Sequence, residues 1–404
     1  MPLRKLTIFT DSYPYGSAEP FLRNELDYLS LTFDEIKIIP LNYGTSRETR
    51  SVPHNVSYTT PIMNNSKAKD ELLIKGVLNS SPFCAYVKDL FTSGAYRSGK
   101  KIWSWGIGLL MARTILANKE VKRVLKDQSY DTFYFYWGIR ASFIIPLLSK
   151  SLNKKIAIRF HGSDTYEETN GGYIPLRKRQ LERVDRAYFC SEYGKSYIES
   201  KYPFVKNVSE ISRLGVHEQG LSPQSTDDIF RILTISNMVP LKRLDLLASA
   251  LLNVKAKVSW VHIGDGETAE KVKSIAAQLP SNVTAQFLGK MPNKEVITYL
   301  TNNSVDLFIN VSSSEGVPVS IMEALSMGIP VLATAVGGTP EIVDSEVGEL
   351  IPSDISAEAL AAAIERIAKR VCEKNLRDSA KKRWSERCNA AALYQQFSQS
   401  ILNI

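Results

Sequence analysis

Residues 313–330 read SSEGVPVSIMEALSMGIP. Glu315 and Glu323 stand eight positions apart in a segment that is otherwise small and apolar. An unpaired buried carboxylate is costly, so a plain core segment would not carry two. Upstream, VDLFINVS (305–312) has the continuous apolar character of a strand covered on both faces. Downstream, VSIMEALSMG (319–328) repeats with helical spacing and closes at Gly328 as a C-cap. Strand, polar turn and helix in that order place Glu315 at the strand's carboxyl tip and Glu323 about two turns inside a helix beginning near Pro318. The amides of Val319 and Ser320 then lie at the helix N-terminus, where uncapped N–H groups favour an anion. A capping Glu and an exposed helix Glu are the plain alternative for the two carboxylates.

Outward from this segment, strand-like runs recur on both sides. FRILTIS (230–236), VSWVHIGDG (258–266), VTAQFLG (283–289), VDLFINVS and IPVLAT (329–334) form one series. LTIFTD (6–11), EIKIIPL (35–41), TFYFYWG (132–138), KIAIRFHG (155–162) and RAYFCSE (186–192) form an earlier one, with an amphipathic helix at about 19–31. Strands separated by helices predict parallel sheets with crossover helices. The polar stretch GVHEQGLSPQSTDD (215–228) between the series reads as a linker. The expected fold is therefore α/β, two doubly wound Rossmann-like domains facing a central cleft: residues 1–217, residues 218–385, and a last helix, 386–404, returning to the first domain. Ligands of such sheets bind at the carboxyl ends of the strands.

At 404 residues the chain exceeds one ordinary core. The cysteines (84, 190, 372 and 388) are far apart and suggest neither a zinc site nor a disulfide framework, which fits a reducing cytoplasm. The first residues read as a strand rather than a signal peptide, and the runs 103–117 and 141–149 are too short or interrupted to span a bilayer. The net charge of +8 is uneven, with 32 Lys+Arg against 21 Asp+Glu in residues 1–215 and 18 against 21 in the rest. A basic first half suits an anionic partner such as a membrane surface, a phosphorylated acceptor or a nucleic acid; a merely solvated basic face is the alternative.

The spacing Glu315-x7-Glu323, followed by GIPVLATAVGGTPEIV (328–343) and Gly348-Glu349-Leu350, closely resembles the donor segment of retaining glycosyltransferases of the two-Rossmann (GT-B) type, family 4. The resemblance implies that Glu315 faces the donor sugar and Glu323 binds the nucleotide ribose, with the diphosphate on the helix end formed by Gly316, Val319 and Ser320. It identifies Lys242, in ISNMVPLKRLDLL (235–247), with the family's phosphate-binding lysine. Asn237 stands where the family usually has an arginine, and Arg243 is the residue that could compensate. HIGDGE (262–267) resembles the family's glycine turn with Gly264, and FLGKMPNKEV (287–296) its base-binding turn near Lys290. In the first half, IRFHGSDTYEE (158–168) carries His161 at a strand end, the position of a cleft histidine that contacts the donor sugar, while Asp164 orients the loop or caps a helix. TDSYPYGSAEPFLRNEL (10–26) supplies a loop with Gly16 near the phosphates and Glu25 on the helix behind, and with FYFYWG (133–138) it resembles bacterial enzymes of capsule, exopolysaccharide and O-antigen assembly.

The expected activity is thus transfer of a sugar from a nucleotide-diphosphate sugar to a lipid-linked saccharide acceptor. No metal or other cofactor and no nucleic acid are expected, and the location is cytoplasmic, peripheral to the inner face of the membrane. The membrane expectation rests on Lys100, Lys101, Lys119, Lys122, Arg123 and Lys126 beside Trp103, Trp105, Leu109 and Leu110. A sugar-nucleotide epimerase of the same fold and a catalytically silent binding module are the rivals.

Overall fold

The computed structural model describes residues 3–63, 84–148, 152–373 and 375–404. Thirteen strands fall into two all-parallel sheets among these residues. In the first half they are β1 (Lys5–Thr10), β2 (Glu35–Pro40), β3 (Val56–Tyr58), β4 (Tyr130–Phe135), β5 (Lys155–Phe160), β6 (Arg186–Phe189) and β7 (Ser209–Ile211). In the second they are β8 (Phe230–Ile235), β9 (Val258–Ile263), β10 (Val283–Phe287), β11 (Leu307–Asn310), β12 (Val331–Thr334) and β13 (Gly348–Ile351). The spatial orders are β3-β2-β1-β4-β5-β6-β7 and β10-β9-β8-β11-β12-β13. Both contain the doubly wound order 3-2-1-4-5-6, whose direction of winding reverses next to its first strand.

Ten of these strands correspond to the runs read from the sequence. The three unforeseen ones, β3, β7 and β13, each hold three or four residues and each lie at a sheet edge. An edge strand of that length needs few apolar residues and leaves no readable period.

Strand alternation builds the first unit's core on both sheet faces. Phe9, Phe133, Phe135, Ile158 and Phe160 pack with Leu109, Ala112 and Ile115 of the helix Gly99–Ala117. Leu6, Ile8, Tyr134, Tyr136 and Ala157 face the other way, against Leu22, Leu26 and Leu29 of the helix Pro20–Thr32. Phe397 and Ile401 of the last helix, Ala390–Leu402, join that second face. The first compact unit comprises residues 1–212 with 392–404, and the second residues 213–391. Residues 213–217 go with the second unit because Val216 is stitched to its far end: the Val216 amide donates to Cys388 O (2.9 Å), and Val216 O accepts from Ala390 N (3.2 Å) and Trp384 Nε1 (3.0 Å). Among the described residues no helix is long and apolar enough to cross a membrane.

Candidate functional site

In the second unit the winding reverses between β8 and β11, so the crevice beyond their carboxyl ends is where such a sheet receives a ligand. β8 runs on through Ser236 and Asn237 into the 3-10 turn Pro240–Lys242, and β11 runs on to Glu315. The two loops meet through an ion pair, with Lys242 Nζ 2.6 Å from Glu315 Oε1, and through the Ser313 amide, which donates to Leu241 O at 2.9 Å. Asn310, the last residue of β11, donates to the same oxygen (3.1 Å) and takes the Ser312 amide on its own Oδ1 (3.0 Å). Two donors on one oxygen, with the carboxylate largely shielded, explain why a charge is tolerated here. Arg243, the residue that could compensate for Asn237, is tied to the chain's own backbone. Its guanidinium donates to the carbonyls of Val311 (2.7 Å) and Ser353, bracing the end of β11, while Asn237 is exposed.

Glu323 is buried in the helix Val319–Ser326, one turn from its start rather than the two expected, because it stands only four positions after Val319, and it accepts from Asn293 Nδ2 at 2.7 Å. Burial pushes its carboxyl above the usual range, and the Asn293 bond opposes that shift. Val319 and Ser320 open the same helix, whose N-cap, Pro318, offers no side-chain cap. Gly316 accepts the Gly338 amide at 2.6 Å, fastening the loop after β12 to the Glu315 turn. Gly337 in that loop has φ +54°, and a β-carbon there would lie 1.8 Å from Glu315 O. Gly264 (φ +142°) works similarly: a β-carbon would lie 1.8 Å from Ser236 O. The close approach permitted by the HIGDGE turn is thus to the chain's own loop after β8. Lys290, beyond β10, is exposed.

In the first unit, His161 follows β5. Its ring lies 4.4 Å from that of Trp137 and 4.7 Å from that of Tyr136, centroid to centroid. Asp164 does order this loop, accepting the amides of His161 (2.7 Å) and Gly138 (2.6 Å). His161 Nδ1 is 3.9 Å from Asp164 Oδ2, too far for a hydrogen bond, and both ring nitrogens are buried without a partner. Burial holds the imidazole below its usual pKa, and hence neutral near pH 7. A structural histidine ordinarily satisfies its nitrogens; this one keeps a donor and an acceptor in reserve. Gly16 lies in a braced loop, its amide taken by Glu48 O at 3.0 Å. The sequence pattern YPYG-x-x-E (13–19) contains Glu19 without giving it a role; its carboxylate gathers the amides of Asp11, Ser12 and Tyr13 and the Trp137 indole N–H at 2.7–2.8 Å. Sequence reasoning passed over Asn293 and Asn310. Asn310 was detectable as the polar interruption of an apolar strand; Asn293 had no such signal.

The sequence pattern of the family described as glycosyl transferases group 1 matches residues 222–385, which hold Lys242, Glu315 and Glu323. The amylovoran biosynthesis glycosyltransferase AmsK of Erwinia amylovora is 24% identical, over 90% of this chain and 90% of its own. The putative teichuronic acid biosynthesis glycosyltransferase TuaC of Bacillus subtilis is 32% identical over 67% of this chain and 71% of its own. Among solved structures, Anabaena HepE in complex with UDP aligns over 100% of both chains at a TM-score of 0.64 and 16% identity. A Rickettsia africae glycosyltransferase aligns at 0.68 and 16%, over 100% of this chain and 99% of its own. Those two likenesses speak to the fold, and the fold is GT-B. With the pattern lying on the switch-point loops and TuaC alike over two thirds of each chain, this protein belongs to the group 1 glycosyltransferases.

Proposed function

We propose that the chain is a retaining transferase that moves a sugar from a nucleoside-diphosphate sugar to a lipid-linked saccharide in the assembly of a bacterial surface polysaccharide. The observation that carries the reading is the Lys242–Glu315 pair at the switch point, 2.6 Å across. An ammonium has three N–H donors, so Lys242 can keep Glu315 and still offer two to the departing diphosphate. Lys242 and Asn310 both use Glu315 Oε1, which leaves Oε2 for a donor-sugar hydroxyl. Glu323, steadied by Asn293, takes the ribose hydroxyls, and the amides of Val319 and Ser320 take phosphate oxygens. Gly316 and Gly264 shape the loops around the diphosphate, Asn237 is a neutral hydrogen-bonding group beside it, and Lys290 flanks the base. In the first unit we assign His161 to sugar hydroxyls and the Gly16 loop to the phosphate side. Glu315 positions and stabilises; the acceptor hydroxyl gives its proton to the leaving phosphate on the face of the sugar that phosphate vacates.

Support comes from the relatives: the glycosyltransferases named for amylovoran and teichuronic acid biosynthesis are similar to this chain in sequence, and HepE, similar in fold, was solved with UDP and with UDP-glucose. The test is incubation with a panel of nucleotide sugars, with and without lipid-linked saccharide extracts, and NMR of the product's anomeric carbon. Acceptor-dependent transfer with the donor's anomeric configuration kept is expected. Conversion of the donor sugar without acceptor would overturn the reading in favour of an epimerase.

A further inference from the structure

Between residues 84 and 103 the first unit holds large apolar side chains out in solvent. Phe91 is 61% exposed, Tyr96 43%, Ile102 43% and Trp103 63%. They come from three successive elements packed on one another: the helix Cys84–Thr92, the 3-10 turn Ala95–Arg97 and the start of the helix Gly99–Ala117. The core beneath them is already filled. Tyr86, Ala95, Leu109 and Ala112 are buried, and Trp105 turns inward to donate to Tyr86 O at 2.8 Å. The four exposed side chains are therefore not an outlying part of that core.

Charge completes the picture. The ionisable acids and bases of this stretch, cysteine and tyrosine apart, are Lys88, Asp89, Arg97, Lys100 and Lys101. Asp89 is buried, accepting from the Tyr173 hydroxyl and the Leu176 amide (3.1 Å). Every solvent-facing member of the group is positive.

We propose that this tip docks on an anionic lipid bilayer, with Phe91, Ile102 and Trp103 entering the interface and Arg97 and Lys100 meeting acidic headgroups. Aromatic and aliphatic side chains ringed by cations suit that boundary, where apolar area and charge act together. A second copy of the same face would set like charges against each other, which argues against self-pairing. The helix Gly99–Ala117 also gives docking a consequence. Starting at Ser104, one residue past Trp103, it lines a cavity of about 300 Å³ whose other walls include Asp11 and Arg140, at the carboxyl ends of β1 and β4. A docked tip holds that cavity beside the bilayer. In helix Lys119–Lys126 the apolar Val121 and Val124 fill the core while the lysines are exposed, and Leu109, with Trp105 and Leu110 packed against it, belongs to the core, so none of these apolar side chains joins the exposed four.

The test is co-sedimentation of the full chain with vesicles of equal parts phosphatidylglycerol and phosphatidylcholine, against vesicles of phosphatidylcholine alone. Binding to the anionic vesicles, weakening from low to physiological salt, is expected. Arg97→Gln with Lys100→Gln should weaken it by roughly 25-fold, about fivefold per charge. Phe91→Ser with Trp103→Ser should also weaken it, with both variants melting as the parent does. Equal recovery in the supernatant with both vesicles, or unchanged binding in both variants, overturns the proposal. So does a dimer in equilibrium sedimentation that Trp103→Ser dissociates while vesicle binding is absent, since the occupant would then be a second copy.

Discussion

A buried imidazole makes stability depend on pH in a calculable way. His262 Nδ1 lies 2.8 Å from the Thr234 hydroxyl, which already accepts from Trp260 Nε1 at 2.9 Å and so has its proton to give. That arrangement favours the neutral ring, and burial lowers the His262 pKa to about 4. Because the folded value lies below the unfolded one, the unfolded chain takes the proton first. The contribution is full above about pH 6.5 and is lost as pH falls to about 4, amounting to roughly 3 kcal/mol. The urea midpoint of the parent should exceed that of His262→Gln at pH 7 and the gap should shrink towards pH 4; a constant gap would contradict the assignment. Glu25 and Arg159 pose the opposite problem, a fully buried ion pair in which Arg159 also donates to Ser212 O at 2.7 Å and covers the Phe397 ring at 4.7 Å. Glu25→Gln leaves the guanidinium uncompensated and should cost about 3–5 kcal/mol, read as a lower melting temperature. An unchanged melting temperature would mean that Arg159 is neutralised elsewhere. Lys242→Ala should lower turnover by roughly 10²-fold with folding intact, as when one transition-state donor is removed. Full activity would detach Lys242 from the diphosphate. At this scale the sequence was legible where a charge interrupted an apolar run, as with Glu315 and Glu323. It was illegible where the partner lay far along the chain, as for Arg159 and Glu25, 134 positions apart.

Elements were easier to read than their junctions. Long central strands announce themselves because both faces are buried and therefore mostly apolar, as in β4 and, its ion-paired Arg159 apart, β5. The edge strands β3, β7 and β13 pair on one side and are too short to show a period. The loops after β8, β9, β11 and β12 are fitted backbone to backbone, which composition hints at only through glycine. Gly264 takes φ +142° with Ser236 O where its side chain would be. Gly264→Ala should therefore displace the loop that carries Lys242, lowering both melting temperature and turnover. A variant melting and turning over like the parent would show that the two loops move apart freely.

For the molecule as a whole, repetition of one topology is what made the fold readable. Two series of strands and helices became two sheets of the same core order, each offering a switch point at its strand ends. The boundary was less legible, since the stitching of Val216 to Cys388 and Ala390 joins residues about 170 apart. The central claim is that the switch point of the second unit holds a nucleoside diphosphate. Titration calorimetry of UDP, GDP and ADP into the parent, Glu323→Gln and Lys242→Ala tests it most directly. The account predicts that one of the three binds the parent, that Glu323→Gln weakens it by about 1–3 kcal/mol, the scale of a charged hydrogen bond, and that Lys242→Ala weakens it as well. A parent that binds none of the three, or a nucleotide held equally by all three proteins, would contradict it.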